Sequence, residues 1–265
     1  RKPKTENRKP KTENRKPKTE KQMLDLHCHF LPAIDDGTTI LDESLLLARM
    51  AVENGIKLSV MTPHIHPGRY LNQKQNIVQA VDDFRLALKE SNITLDLRAA
   101  AEVRIGPEIL TMVQQEAIPF LGELDGYKIM LLEFPHEMIP VGSENLVDWL
   151  LKRNILPMIA HPERNKDVMR DLSKITPFVA RGCLLQITAA SIANRFGDHA
   201  YHRAKEMLEQ DWVHIIATDA HNRQHRPPDL AAGRDAAARI VGMEQANKLV
   251  EDNPREIVGA PPSAR

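Results

Sequence analysis

The chain alternates apolar and polar positions in one repeated way: a short apolar run stops at a histidine or a carboxylate. Six such runs occupy residues 23–26, 56–61, 97–101, 129–132, 156–160 and 213–218. The polar residues that follow them, in the same order, are His27 with His29, His64, Glu102, Glu133, His161, and Asp219 with His221. Short apolar runs of this length predict buried β-strands. Polar side chains at the C-terminal ends of such strands are typical of active sites in β/α barrels.

Helical patterns separate the predicted strands. The longest pattern, over residues 72–91, places Ile77, Val81, Phe84 and Leu88 on one face. Other helices are predicted over 42–54, 107–115, 144–154, 172–181, 198–210 and 229–250, and a further strand over 183–188. Repeated strand–helix units predict either a parallel barrel or a doubly wound sheet. Because an open sheet would spread the polar strand ends too far apart, the pattern favours the barrel.

Charge and composition exclude several classes of protein. The 36 basic and 36 acidic residues cancel, so no overall field directs the chain to nucleic acid or to an acidic membrane. The apolar runs are far shorter than the roughly 20 residues that span a bilayer, which predicts no membrane insertion, and the N-terminus lacks the apolar core of a signal peptide. The two cysteines, Cys28 and Cys183, make no disulfide framework. A reducing cytoplasm is therefore the predicted location.

Residues 1–22 differ from the rest of the chain. The heptapeptide RKPKTEN occurs at residues 1–7 and again at 8–14, and a truncated copy follows at 15–20. A charged, proline-containing segment without apolar residues predicts disorder. We interpret it as a repeated tag or cloning remnant, with Met23 as the native start and 23–265 as a single domain. A basic tail that binds nucleic acid or membrane is disfavoured, because each repeat also carries a glutamate.

The polar strand ends, together with the Asp35-Asp36-Gly37 segment, supply nine candidate metal ligands. They are His27, His29, Asp36, His64, Glu102, Glu133, His161, Asp219 and His221. Taken one motif at a time, His27 and His29 could be ordinary surface residues, and Asp35 and Asp36 could be solvated carboxylates in a turn. Together, nine nitrogen and oxygen ligands are too many for one ion and suit two or three. Such mixed ligands suit manganese, iron or zinc, and three divalent ions would leave an excess of positive charge that suits a phosphate dianion.

Two arginines and the two cysteines narrow the chemistry. Arg164 lies three residues after His161, and Arg226 lies five residues after His221, so both are candidates for phosphate binding. The alternative for each is an ordinary surface salt bridge. A cysteine-dependent phosphatase needs an arginine six residues after its nucleophile, but Ile34 and Ala189 stand at those positions. No glycine-rich phosphate loop of the P-loop type is present in the sequence.

These motifs resemble the polymerase and histidinol phosphatase (PHP) superfamily. Within it, the chain is similar to the bacterial manganese-dependent protein-tyrosine phosphatases of the CpsB/CapC/YwqE type, over essentially residues 23–259. The resemblance is carried by the segments DLHCH at 25–29, DDG at 35–37, TPH at 62–64, AE at 101–102, LEF at 132–134, AHPER at 160–164, TAAS at 188–191, RFG at 195–197 and TDAHN at 218–222.

The resemblance implies an α/β fold, a distorted seven-stranded TIM-like (βα) barrel of the PHP type, with a trinuclear site. It implies that His27, His29, Glu102 and Asp219 hold one ion, that Glu102, Glu133 and His161 hold a second, and that Asp36, His64 and His221 hold a third. Manganese is the implied ion, with iron or zinc as alternatives. A metal-bridging hydroxide would attack phosphorus, while Arg164 and Arg226 would bind the phosphoryl oxygens. The implied substrate is phosphotyrosine on the tail of a bacterial tyrosine autokinase that controls capsular or exopolysaccharide synthesis.

Three alternatives remain open from the sequence. A histidinol-phosphate phosphatase would use the same chemistry on a small alkyl phosphate, and turnover of the two substrates would separate them. A PHP nuclease is disfavoured by the balanced charge. A non-catalytic, metal-bound module that docks a kinase would bind metal without hydrolysing an aryl phosphate. The oligomeric state is not predicted.

Overall fold

The structure, a computed structural model, describes residues 22–260, so all of the predicted tag at residues 1–22 except Gln22 lies outside the described part. The strands are β1 (Met23–Cys28), β2 (Ile56–Met61), β3 (His64–His66), β4 (Tyr70–Leu71), β5 (Asp96–Ala99), β6 (Glu102–Arg104), β7 (Gly122–Leu124), β8 (Tyr127–Glu133), β9 (Ile155–Ala160), β10 (Leu184–Thr188) and β11 (Val213–Ala217). All predicted strands are present.

Helices connect these strands, as the sequence predicts. They are α1 (Leu41–Glu53), α2 (Lys74–Glu90), α3 (Glu108–Gln114), α4 (Ser143–Leu151), α5 (Lys166–Arg170), α6 (Thr176–Val179), α7 (Ala189–Ile192), α8 (Asp198–Glu209), α9 (Leu230–Val241), α10 (Met243–Lys248) and α11 (Asp252–Val258), with short 3-10 helices at Pro162–Arg164 and Leu172–Lys174. Within residues 22–260, no helix is long and apolar enough to span a bilayer.

Three predicted elements differ from the observed ones. The helix predicted over 172–181 is wrong as a continuous element, because Pro177 cannot donate a helical hydrogen bond, and a 3-10 helix at Leu172–Lys174 and the short α6 form instead. The predicted helix over 229–250 is divided into α9 and α10 by Gly242, whose φ is +84°. The apolar run over 97–101 ends as a strand at Ala99 and resumes at Glu102 as β6.

The strands form two sheets with mainly parallel pairing, which gives a mixed α/β fold. One sheet has the order β1-β2-β5, and the other has the order β11-β10-β9-β8-β6-β3-β4, with β7 beside β8. Among the strands of residues 22–260, only the short β4 and β7 pair antiparallel with their neighbours. A parallel bridge between Cys28 and Ala220 joins the two sheets. The C-terminal ends of the long strands are therefore brought to one end of the fold.

Two apolar clusters support this arrangement. The outer cluster packs helices on the sheets and includes the predicted α2 face, Ile77, Val81, Phe84 and Leu88, all buried. The inner cluster includes Leu24, Leu26, Leu58, Val60, Leu131, Met158 and Ile215, which come from strands of both sheets. The polar strand ends therefore continue from strands whose preceding residues are fixed by packing on both sides.

Candidate metal centre

All nine predicted ligands meet in one cluster at the C-terminal ends of the strands. His27 Nε2 lies 3.2 Å from Glu102 Oε2, and His161 Nε2 lies 2.8 Å from Glu102 Oε1. Asp219 Oδ1 lies 3.3 Å from His27 Nε2 and 3.4 Å from His29 Nε2. The remaining members follow the same pattern: His64 Nε2 to Asp36 Oδ1 is 3.2 Å, His221 Nε2 to Asp36 Oδ1 is 3.5 Å, and His64 Nδ1 to Glu133 Oε2 is 3.7 Å.

The cluster contains three groups of side chains, and within each group the ligand atoms lie within 4.8 Å of one another. The first group is His27, His29, Glu102 and Asp219, the four residues expected at the first ion. The second group is His64, Glu102 and Glu133, and the third is His29, Asp36, His64 and His221. His64 thus stands beside Glu102 and Glu133 where the resemblance implies His161. His161 contacts Glu102 but belongs to none of the three groups, so its role as a ligand stays a prediction.

Polar atoms without hydrogen bonds show that these residues fit a metal. Five buried ligand atoms have no hydrogen-bond partner among residues 22–260: His64 Nδ1, Glu102 Oε2, Glu133 Oε2, Asp219 Oδ1 and His221 Nε2. Glu102 Oε2 lies 3.1 Å from His64 Nδ1 but without the geometry of a hydrogen bond. A buried polar atom left without a partner is unfavourable. Because the unpartnered atoms are imidazole nitrogens and carboxylate oxygens turned toward one another, the donor set matches a divalent ion.

Hydrogen bonds from outside the cluster orient two of the imidazoles. His27 Nδ1 lies 2.8 Å from Gln186 Oε1, and His29 Nδ1 lies 2.7 Å from Asp35 Oδ2. With both Nδ1 atoms engaged, the Nε2 atoms face the Glu102 and Asp219 carboxylates. Partners of this kind fix the tautomer of a metal-binding histidine.

The sequence analysis did not identify three residues of this site. Gln186 was missed, although a polar glutamine inside the apolar run 183–188 is a local signal of a buried hydrogen-bonding residue. Asp35 was noted only as part of a turn motif. Arg104, whose Nε lies 3.1 Å from Glu133 Oε2, was missed. Its position two residues after Glu102 on a strand is the signal, since alternate residues share a face.

The backbone is strained at two of the strand ends. His161 has a φ of +33° and Asp219 a φ of +52°, in the left-handed region that residues with a Cβ rarely adopt. The amide of Asp219 donates to the His27 carbonyl at 2.7 Å, which ties the end of β11 to β1. Such conformations persist where the surrounding structure determines them, and they are concentrated at functional sites.

The electrostatics of the cluster indicate an excess of negative charge around Glu133. Burial and the neighbouring Glu102 carboxylate raise the pKa of Glu133 to about 7. Burial also disfavours the charge on Glu102, but the His27 and His64 imidazoles hold the pKa of Glu102 well below its ordinary value. A cation bound between these side chains would favour the ionised form of both carboxylates.

Both predicted arginines lie beside the cluster. Arg164 Nη1 and Arg226 Nη2 each donate to Asp219 Oδ2, while Asp219 Oδ1 faces the histidines. Burial opposes the charge on Arg164, but the Asp219 and Glu163 carboxylates raise the pKa of its guanidinium. The Arg164 guanidinium also lies 5.0 Å from the centre of the Phe196 ring. The arginines are therefore positioned at the site, and phosphate binding by them stays a prediction.

The cysteines lie apart from this chemistry. Cys28 packs in the outer apolar cluster and its Sγ donates to the Val60 carbonyl at 3.4 Å, so it points away from the flanking histidines. Burial raises the pKa of Cys28 well above its ordinary value, and it raises the pKa of Cys183 to about 12. Neither thiol is ionised near neutral pH.

Comparison with known proteins gives these features a family context. The family model described as "Capsular polysaccharide synthesis, CpsB/CapC" matches residues 23–259. Tyrosine-protein phosphatase YwqE of Bacillus subtilis (strain 168) is 35% identical over 204 residues, covering 77% of this chain and 79% of the relative. Tyrosine-protein phosphatase CpsB of Streptococcus pneumoniae is 29% identical over 245 residues, covering 89% and 98%.

Solved structures agree with these relatives. A chain from the crystal structures of YwqE from Bacillus subtilis and CpsB from Streptococcus pneumoniae, described as unique metal-dependent tyrosine phosphatases, superposes with a TM-score of 0.83 at 30% identity, covering 91% of this chain and 96% of that one. A phosphotriesterase homology protein from Escherichia coli superposes with a TM-score of 0.57 at 12% identity, over 90% and 99% of the two chains, and shares the fold alone. With its metal-type cluster and a family match over residues 23–259, this chain belongs to the CpsB/CapC family.

Proposed function

We propose that this chain is a metal-dependent protein-tyrosine phosphatase that acts in the control of capsular or exopolysaccharide synthesis. The observation that carries the proposal is the cluster of nine side chains with nitrogen and oxygen donors, most of them buried, five atoms of which lack a hydrogen bond within the described part of the chain. The names of the relatives supply the substrate class, since YwqE and CpsB are tyrosine-protein phosphatases.

The metal centre would hold two to three divalent ions, with manganese preferred over iron or zinc. The ligands would be His27, His29, Asp36, His64, Glu102, Glu133, His161, Asp219 and His221. Bound ions supply a water nucleophile at neutral pH and positive charge near the phosphoryl oxygens. The fit of the residues supports this assignment: Glu102, whose carboxylate has two oxygen atoms, belongs to two of the three groups and could serve a neighbouring ion in each.

Other side chains of this protein would orient the metal ligands and bind the phosphoryl group. Gln186 and Asp35 hold the His27 and His29 rings with Nε2 toward the cluster. Arg164 and Arg226 would donate to phosphoryl oxygens, where planar guanidinium groups bind in the bidentate manner. Phenol is a tolerable leaving group because its pKa is about 10, so tyrosine phosphate needs little acid assistance compared with an alkyl phosphate.

Several finer expectations belong to the same proposal. We infer that the seven strands predicted from the sequence form a distorted seven-stranded TIM-like barrel. We also infer that residues 23–265 act as one domain. The phosphoprotein substrate would be a bacterial tyrosine autokinase. The cytoplasm is the proposed location, supported by two cysteines that are both free thiols.

The test is turnover of phosphotyrosine peptide against histidinol phosphate, with elemental analysis of the purified protein. We expect two to three divalent ions per chain, preference for the peptide, loss of activity after chelation and best recovery with manganese. Preference for histidinol phosphate would favour the alternative enzyme. Metal content without turnover of an aryl phosphate would favour a kinase-docking module. Full activity in prolonged excess chelator, with no metal detected, would refute the proposal.

A further inference from the structure

A second concave feature lies at the same end of the fold as the metal centre. It is a groove of about 390 Å³ between α3 and α4, open beside the loop that precedes α4. Its side walls are apolar: Ile105, Pro107 and Leu110 on one side, and Pro140, Val141 and Trp149 on the other. None of the described residues that line the groove carries a charge. The groove therefore suits an apolar occupant.

Two of the apolar side chains that line the groove are exposed to solvent, so they do not contribute to the buried core. Val141 is fully exposed, with a relative exposure of 101%, and Leu110 is 37% exposed. Val141 lies in its loop between Pro140 and Gly142, and its side chain is open to solvent. Single exposed apolar residues are ordinary, but an exposed apolar group at the edge of an apolar concavity marks a binding surface.

The groove adjoins the metal centre through the residues at the end of β6. Arg104 pairs with Glu133 in the register of β6 and β8, and the Ile105 amide donates to the Glu133 carbonyl at 2.9 Å. Ile105, which lines the groove, is thus joined to a candidate ligand by a hydrogen bond and is three residues from another, Glu102. Three extended residues span roughly 10 Å. A polypeptide with its phosphate at the metal centre would need about that many residues to reach the groove.

We propose that this groove binds an apolar side chain of the substrate polypeptide, two to four residues away from the phosphotyrosine. The proposal rests on the phosphatase function proposed above and assigns it a sequence preference. A substrate segment fits better than a second copy of this chain, because a groove of this size accepts one or two side chains, whereas a standard stable interface buries roughly 800 Å² on each partner. Leu110 and Val141 would be specificity-determining residues that do not touch the reacting atoms.

The proposal is tested with paired phosphotyrosine peptides and p-nitrophenyl phosphate on the metal-loaded protein. Each peptide pair carries either leucine or alanine at one position two to four residues before or after the phosphotyrosine. We expect leucine at one of these positions to raise kcat/KM by about 10-fold or more, the scale for an apolar group in a pocket. The gain should appear mainly in KM, because the side chain makes the same contact in the ground state and the transition state.

Variants assign the preference to the groove. Leu110→Ser and Val141→Ser should remove most of the leucine advantage and leave turnover of p-nitrophenyl phosphate unchanged. Leu86→Ser is the matched control, because Leu86 is an exposed leucine on α2 that does not line the groove, and it should keep the full advantage. Equal kcat/KM for every leucine and alanine pair would overturn the proposal.

Two further outcomes would also overturn it. If the groove variants change the sedimentation of the protein from dimer to monomer while the peptide preference persists, the groove is an interface between copies. If Leu110→Ser and Val141→Ser lower the turnover of p-nitrophenyl phosphate as much as that of the peptide, the groove supports the structure of the metal centre and does not select the substrate sequence. Absence of turnover on all phosphates would instead refute the phosphatase function, and that result is distinct because it appears already in the unmodified protein.

Discussion

Replacing Arg164 or Arg226 with alanine separates phosphate binding from the support of a metal ligand. Both guanidiniums donate to the same oxygen, Asp219 Oδ2. Removal of one therefore leaves the other to hold the carboxylate, and we expect each single variant to keep its metals. If each arginine also donates to the phosphoryl group in the transition state, its loss lowers kcat/KM by about 10²–10³-fold.

The magnitudes distinguish this interpretation from a purely structural one. A hydrogen bond between charged groups contributes about 1.5–3 kcal/mol, and loss of a residue that only orients a ligand lowers metal affinity or activity by about 10–100-fold. An arginine that only positions Asp219 would thus appear in the manganese titration, and saturating metal would restore the rate. An arginine that binds phosphate would leave the titration unchanged and keep its full deficit at saturating metal.

The assay measures metal content, kcat/KM on phosphotyrosine peptide at saturating manganese, and inhibition by inorganic phosphate. Arg181→Ala is the matched control, since Arg181 is an arginine whose Nε pairs with Asp148 at 2.8 Å away from the candidate ligands. His161→Ala is the contrast, because it removes a proposed ligand and should lower metal content together with rate. If both arginine variants match the unmodified protein, phosphate binding belongs to the metals alone and the assignment is wrong.

Three further predictions follow from the site. Cys28→Ser and Cys183→Ser should keep most of kcat, and iodoacetamide at neutral pH should not inactivate the protein, because burial raises the pKa of both thiols; a thousandfold loss of kcat with metals intact would reveal a thiolate nucleophile. Gln186→Leu should weaken manganese affinity by about 10–100-fold, measured by titration of activity, since it removes the hydrogen bond to His27 Nδ1. Chelation should lower the melting temperature by roughly 5–10 °C relative to protein at a manganese concentration 100 times Kd, and a melting curve that ignores manganese would contradict tight binding to the folded state.

The sequence predicted the strands and the clustering of the candidate ligands, because both depend on strong local signals. An apolar run that ends at His64 or Glu133 is visible without knowing what packs against it. Parallel strands then bring their C-terminal ends together, so nine distant positions become neighbours by topology alone. Alternation of side chains along an extended segment accounts for Cys28, which lies between His27 and His29 and whose Sγ donates to the Val60 carbonyl.

Contacts between elements distant in the sequence could not be predicted in this way. Gln186 is 159 residues from His27, and no local pattern relates them. The division of the apolar run 97–101 into two strands follows from pairing: the Ala100 amide donates to the Met61 carbonyl, while the Glu102 amide donates to the Pro63 carbonyl. Both acceptors belong to residues 61–63, and no pattern within residues 97–104 reveals that pairing.

The strain at the site explains why its geometry is harder to predict than its composition. Positive φ values, which are uncommon for residues with a Cβ, occur at His161 and Asp219. The unpartnered atoms of Glu102, Glu133 and Asp219 contradict the rule that buried polar groups are hydrogen-bonded. Each feature is unfavourable for folding alone. They occur together at one end of strands whose preceding residues are apolar and buried. Both kinds of departure also occur elsewhere among residues 22–260, but at these strand ends they meet in one cluster, where packing fixes the backbone and a bound cation would satisfy the side chains.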